Sequence, residues 1–144
     1  MVGYQFRPGR LILKLFAGIE AEDQHIVPHD PNNSVQGSAL GLRLQAEGWL
    51  DFSERMFLSA DATYGTAFQE YWALARLGYR LRERFSLGLE GGALGNEEYD
   101  AGRGGGFVRA SFRDMEVTLS GGFTGNYLED DPSFYVALGL YRPF

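Results

Sequence analysis

The sequence alternates apolar with polar or very small side chains, and this period of two restricts its fold more than any other feature. Between residues 11 and 20, apolar side chains at odd positions oppose Lys14 and Glu20 at even positions. Seven later segments repeat the pattern, at residues 40–47, 56–63, 71–80, 85–90, 108–112, 115–120 and 134–140. Such alternation is typical of antiparallel strands with one apolar face. We therefore predict an all-β fold with eight strands, preceded by a weaker ninth at Val2–Phe6.

Composition agrees with a single β-rich domain over residues 1–144. Glycine accounts for 20 of the 144 residues and aromatic residues for 15%, which favours strands and tight turns over helices. The absence of cysteine excludes a disulfide framework and a thiolate metal site. The net charge is -6 and the basic residues are scattered singly, so we predict no nucleic-acid partner.

The connections between the predicted strands alternate in length. Tight turns are predicted at residues 53–55, 82–84 and 113–114, whereas longer polar loops are predicted at 23–36, 95–102 and 125–132, with a shorter loop near 65–68. Short turns at one end and longer loops at the other are typical of up-and-down antiparallel barrels of the outer membrane. A soluble lipocalin-like barrel would alternate equally well, with its apolar face turned inward.

Aromatic and charged residues favour the membrane alternative. The apolar face carries aromatic residues at both strand ends, namely Phe52, Tyr79, Phe85 and Phe112 beside the short turns and Tyr64, Tyr71, Phe123 and Phe134 beside the long loops. The opposite face carries a balanced set of charges: Lys14, Glu20, Arg43, Glu47, Asp61, Arg76, Arg80, Glu90, Arg109 and Glu116. Two aromatic girdles and a narrow charged interior predict a transmembrane β-barrel in contact with outer-membrane lipid.

The last predicted strand ends on an aromatic residue. Outer-membrane barrels characteristically finish in this way, and the barrel assembly machinery reads that residue, so we predict this role for Phe144. The pattern departs in one respect, because Arg142 stands where an aromatic residue is usual. Strand number has two alternatives: eight strands give a closed barrel with residues 1–9 as a tail, and nine give the C-terminal part of a larger barrel, since bacterial barrels have even numbers.

Four segments carry a family resemblance: "HDPNNSVQGSALGLRLQAEGW", "GTAFQEYWALARLGYR", "LGLEGGALGNEEYDAGRGGGF" and "VTLSGGFTGNYLEDDPSFYVALGLYRPF". Together they resemble the cellulose biosynthesis protein BcsS family of alphaproteobacteria. The resemblance implies an outer-membrane location, a part in cellulose production or export, and cellulose or cellulose synthase components as partners. It also implies further N-terminal strands, which favours the larger barrel. It carries no active site.

The loops contain residues that bind metals in other settings. His25 and His29 lie in the longest loop beside Asp23 and Asp30. Two acidic clusters, Glu97 with Glu98 and Asp100 and then Glu129 with Asp130 and Asp131, lack the ligand spacing of a calcium loop. We interpret all of these as solvated loop residues and predict no metal and no cofactor.

Catalysis is not expected from this sequence. A Ser-His-acid arrangement needs its histidine held beside the serine, and both histidines lie in a loop. Glu20 and Asp61 would allow acid-base work across the interior, but they are more simply ion-pair partners of Arg43 and Arg76. We predict that the chain is not an enzyme.

Contact with glucan is the favoured function. Aromatic faces beside carboxylates and amides suit the apolar ring faces and the hydroxyls of sugars, and the candidates are Phe68, Trp72, Tyr99 and Tyr127. For each of them, filling of the barrel or packing of a loop is the alternative role. We predict an outer-membrane barrel that contacts or conducts glucan; the alternative is a small structural or enzymatic barrel with no glucan role.

Overall fold

A computed structural model describes residues 1–25, 33–126 and 129–142. Within these ranges, nine antiparallel strands form one sheet, and each strand pairs with its neighbours in sequence. The strands are β1 Val2–Phe6, β2 Leu11–Gln24, β3 Gly37–Asp51, β4 Met56–Gly65, β5 Tyr71–Arg82, β6 Phe85–Gly95, β7 Asp100–Phe112, β8 Met115–Asn126 and β9 Glu129–Tyr141. Among the described residues no ladder joins β1 to β9, and no helix is long and apolar enough to cross a membrane.

The prediction of an all-β antiparallel fold is confirmed. The eight strands expected from alternation are β2 to β9, and the weak segment at Val2–Phe6 is a true strand, β1, which pairs with residues 13–17 of β2. Residues 1–9 are therefore not a tail. The signal for β1 is weak because the segment has only five residues and includes Gly3 and Gln5, so its pairing with β2 holds it in place. Closure into a barrel remains a prediction.

Strands extend further into two predicted loops than the alternation suggests. β7 begins at Asp100 and β9 at Glu129, within the loops expected at 95–102 and 125–132. The ladder continues there through pairs such as Ala101 with Asn126. These strand ends are rich in glycine and polar residues, so they lack the apolar alternation that reveals a half-buried strand. Backbone pairing alone extends them.

The sheet curls toward the face that bears the charged residues. Ring centroids of Phe57 on β4 and Phe107 on β7 lie 6.5 Å apart, whereas three strand spacings of a flat sheet would place these positions about 14 Å apart. On the same face, the Tyr135 hydroxyl of β9 donates a hydrogen bond to Glu90 of β6 at 2.9 Å. We call this face concave and the opposite face convex.

Glycines on the concave face make room for the aromatic rings. Phe57 pairs with Gly78, Gly78 with Gly88, and Gly88 with Phe107, so two glycines separate the two rings along one cross-strand row. A Cβ atom at Gly78 would overlap the Phe57 ring. Phe57 is only 1% exposed, and burial of such a side chain contributes about 1.5–3 kcal/mol.

The convex face exposes a band of large aliphatic side chains. Ile19 and Leu40 are 88% and 85% exposed, and Val136 is 80% exposed. Aromatic residues stand at both ends of the band: Phe52, Tyr79, Phe85 and Phe112 at the end with the short turns, and Tyr64, Tyr71, Phe123 and Phe134 at the other end. Contiguous apolar surface of this kind marks contact with another apolar phase or a partner.

We expect Gly78→Ala to lower the free energy of unfolding by about 1–3 kcal/mol, because the added methyl group displaces the Phe57 ring from its close packing. The measurement is reversible urea unfolding of the refolded protein. Gly104→Ala is the matched control, since a Cβ atom there meets nothing within 4 Å. Equal midpoints for the two variants would contradict this account of the curl.

Candidate functional site

Most of the ten predicted charged residues pair with one another on the concave face. Lys14 contacts Glu47 and Arg76 contacts Glu90, each at 2.8 Å. The Glu90 side chain is fully buried and also accepts the hydrogen bond from Tyr135. Paired charges and buried hydrogen bonds offset the cost of removing these groups from water.

A cluster of aromatic rings and arginines lies on the concave face near the short turns, and we call it the aromatic and arginine cluster. Its members are Trp49, Phe57, Phe107, Arg80 and Arg109. The Arg109 guanidinium carbon lies 5.5 Å from the Trp49 ring centroid and 5.4 Å from that of Phe57, within the range of cation–π attraction. The Arg80 guanidinium lies 5.0 Å from the Phe57 ring and donates to Asp51 at 2.6 Å. Trp49, Phe57 and Phe107 are not among the residues predicted from sequence, although each one falls at a polar-face position of its strand.

Arg43 is surrounded by carboxylates near the long loops. Its guanidinium contacts Glu20 at 2.7 Å, Glu22 at 2.6 Å and Glu70 at 3.8 Å. Glu20 also accepts the backbone N–H of Ala67 at 3.0 Å, which fixes the loop between β4 and β5. Burial and then the charge of Glu22 raise the pKa of the Glu70 carboxyl. The sequence predicted Glu20 and Arg43 on this face, but it did not assign Glu22 and Glu70 to it.

A cleft of about 390 Å³ opens beside Arg43 at the end of the sheet that carries the long loops. Trp72 of β5 and Tyr99 of the β6–β7 loop line it, together with Arg43, Glu70 and Asn96. The Asn96 side-chain oxygen accepts the backbone N–H groups of Glu98 and Tyr99 at 2.9 and 3.2 Å. This turn holds Tyr99 at the opening. We call this site the rim cleft.

The other predicted glucan contacts lie elsewhere. Phe68 is only 5% exposed, so it packs beneath the loop and offers no free ring face. Tyr127 and the assembly residue Phe144 lie outside the described residues, as do His29 and Asp30. Among the residues that the structure describes, no group of three or more His, Asp or Glu side chains could hold a metal ion.

Three loops pack against one another beside the rim cleft. The Glu98 carboxylate accepts the backbone N–H of Ser34 at 2.6 Å, which ties the β2–β3 loop to the β6–β7 loop. Gln69 donates to Glu97 at 2.7 Å and connects the β4–β5 loop to the same turn. The predicted acidic cluster at Glu97 and Glu98 therefore bridges loops.

The chain is an antiparallel β-sheet protein. Its curled sheet has an apolar convex face, paired charges on the concave face and an aromatic cleft at one end. A family model described as cellulose biosynthesis protein BcsS matches residues 1–144, the whole chain. The chain belongs to the BcsS family of cellulose biosynthesis proteins. No curated protein and no solved structure matches it.

The Ser34 contact predicts a pH dependence of the loops. Hydrogen bonds from Ser34 lower the pKa of the Glu98 carboxyl below its ordinary value of 4.5. Because the folded pKa is depressed, the contact is fully formed above pH 4.5 and is lost as the pH falls through the lowered value. The Ser34 amide shift in NMR spectra should follow this titration.

Two substitutions check the assignment. Glu98→Gln should abolish the acid titration of the Ser34 amide, whereas Glu97→Gln should leave it unchanged, because Glu97 bonds to Gln69 instead. A Ser34 shift that titrates identically in Glu98→Gln and the unmodified protein would refute the contact.

Proposed function

We propose that this chain is an outer-membrane β-barrel component of cellulose biosynthesis or secretion, and that its rim cleft holds a glucan chain. Membership of the family supports the link to cellulose. The observation that carries the glucan contact is the convergence of Trp72 and Tyr99 in one cleft with Arg43, Glu70 and Asn96.

The chemistry of the rim cleft suits a sugar chain. A pyranose ring has apolar faces that pack on aromatic rings, and hydroxyl groups around its edge that need hydrogen-bond partners. Trp72 and Tyr99 supply rings, while Arg43 supplies donors, Glu70 supplies acceptors and the amide N–H groups of Asn96 supply further donors. A site with both kinds of group recognises the ring and its orientation together.

The convex face supports the outer-membrane part of the proposal. Tyr71 and Tyr79 are eight positions apart on β5, which corresponds to about 27 Å along a strand. A strand tilted by about 40° would then span roughly 20 Å of membrane, close to the apolar band of known barrels. Lipid would cover this face, and the assembly machinery would insert the barrel.

Holding glucan is favoured over conducting it. The aromatic and arginine cluster occupies the concave face near the short turns, and Phe57 within it is 1% exposed. A glucan chain that passed along the concave face from the long loops to the short turns would have to displace these packed rings. We therefore propose a docking role for a chain delivered by cellulose synthase components, with no catalytic step. Glu20 and Glu90 are ion-paired with Arg43 and Arg76, and carboxylates held in this way fit a docking role.

The outer-membrane proposal predicts that the energetic cost of a charge on the convex face depends strongly on its depth in the membrane. Ala75→Arg, midway between Tyr71 and Tyr79, should lower the free energy of unfolding from lipid vesicles by about 2–4 kcal/mol. Leu81→Arg, beside the short turn, should cost only about 0–1 kcal/mol. Urea titrations of both variants measure the difference. Equal small costs would indicate that this face contacts water.

The glucan proposal is tested with the two tryptophans of the chain. Trp49→Phe keeps a ring in the buried cluster and leaves Trp72 as the single tryptophan, which can be excited selectively. Adding cellohexaose should then change its emission as the ring contacts sugar. In the unmodified background, Trp72→Ala should weaken cellohexaose binding by up to roughly tenfold in calorimetry, since aromatic contacts contribute about 0.5–1.5 kcal/mol.

Phe112→Ala provides the control for this experiment. Phe112 is an exposed aromatic residue at the opposite end of the convex face, so its loss should leave the affinity unchanged. If Trp72→Ala binds cellohexaose as tightly as the unmodified protein, the rim cleft is not the glucan site.

A further inference from the structure

A second cavity, of about 490 Å³, lies on the concave face beside the aromatic and arginine cluster, whose Trp49 and Arg109 line it. We call it the inner cavity. Lys14, Glu47, Asp61, Arg109 and Glu116 are among its lining residues. Thr63 lines the rim cleft, and Asp61 follows on the same face of β4, about 7 Å away along the strand. The two cavities are therefore consecutive along the concave face.

Asp61 offers acceptors that the protein does not use. Within the described ranges its carboxylate makes no hydrogen bond and no ion pair within 4 Å. Lys14, Arg76 and Arg109 act on it only from longer range. A half-buried carboxylate with free lone pairs is costly unless water or a ligand supplies donors.

Arg109 offers the matching donors in the same cavity. Its side chain is 9% exposed, its Nε atom donates to Thr118 at 3.3 Å, and Glu116 lies 3.8 Å from Nη1. A guanidinium has five N–H donors, and only one of them has a hydrogen-bond acceptor within the described part of the chain. The inner cavity therefore presents unused acceptors and unused donors together.

The inner cavity is balanced in charge and has packed aromatic rings in its wall. Its lining includes three cations, Lys14, Arg76 and Arg109, and three anions, Glu47, Asp61 and Glu116. This balance suits a neutral ligand that both donates and accepts hydrogen bonds, which is the chemistry of hydroxyl groups. Trp49 also lines the cavity and stacks on Phe57 with ring centroids 4.5 Å apart. A ligand entering from the rim cleft would meet these packed rings.

We propose that the inner cavity is a terminal saccharide subsite, which takes the last neutral sugar of a glucan whose preceding residues occupy the rim cleft. This inference rests on the proposed function. Asp61 accepts hydrogen bonds from the hydroxyls of that sugar, and Arg109 donates to them. The concave face then captures a chain end.

The test compares the binding of cellobiose, cellotriose, cellotetraose and cellohexaose to the refolded full chain by calorimetry. Affinity should rise with length until the inner cavity is filled and then stay constant. Asp61→Ala should weaken binding of the longer oligosaccharides roughly tenfold, as expected for loss of a hydrogen bond to a charged group, and should leave cellobiose unaffected. Because Asp61 has no direct partner among the described residues, the urea midpoint should not fall.

Control variants separate this inference from the proposed function. Asp114→Asn, at an exposed position of a short turn, should bind every oligosaccharide normally, and Trp72→Ala should weaken all of them. If Asp61→Ala binds all lengths like the unmodified protein while Trp72→Ala does not, the terminal subsite is refuted and the glucan-binding cleft stands. If the unmodified protein binds no cello-oligosaccharide, both proposals fail.

Discussion

Packing of the Phe57 ring across the concave face is the contact on which the rest of this structure depends. The ring lies over Gly78, stacks on Trp49 and approaches Phe107 three strands away. Such contacts require the sheet to curl, because a flat sheet would hold these side chains too far apart. The curl also brings Arg80 of β5 within ion-pair distance of Asp51 of β3, and Tyr135 of β9 within hydrogen-bonding distance of Glu90 of β6. The pairs Lys14–Glu47 and Arg76–Glu90, in contrast, join opposite positions of neighbouring strands.

The two ends of the concave face differ in the neighbours of their arginines. Near the short turns, arginines lie against aromatic rings. Near the long loops, Arg43 meets carboxylates instead of rings, and a cleft opens beside it. Polar groups that are paired in this way hold fixed orientations. The glucan site proposed at this end would therefore be formed in advance, which lowers the entropic cost of holding a flexible chain.

Alternation along the chain was sufficient to predict the strands β2 to β9, because one face of each strand is apolar. It gave only a weak signal for β1, which has five residues. The rim cleft was predicted in part, through Trp72 and Tyr99. The positions of Glu70 and Asn96 in this cleft, and of Trp49 on the concave face, depend on the register between strands and on the curl of the sheet. Both arise from contacts between residues distant in sequence, such as Glu90 with Tyr135, which no local pattern encodes.

The number of strands determines the relative chain direction of the two edge strands, β1 and β9. Since neighbours are antiparallel and the described part of the chain has nine strands, β1 and β9 run the same way, toward the short turns. Direct joining of these edges would need a parallel ladder, with slanted hydrogen bonds unlike those elsewhere in the sheet. A strand running the opposite way would match both edges in the antiparallel manner. The backbone therefore sets the polarity of any polypeptide segment that completes this sheet.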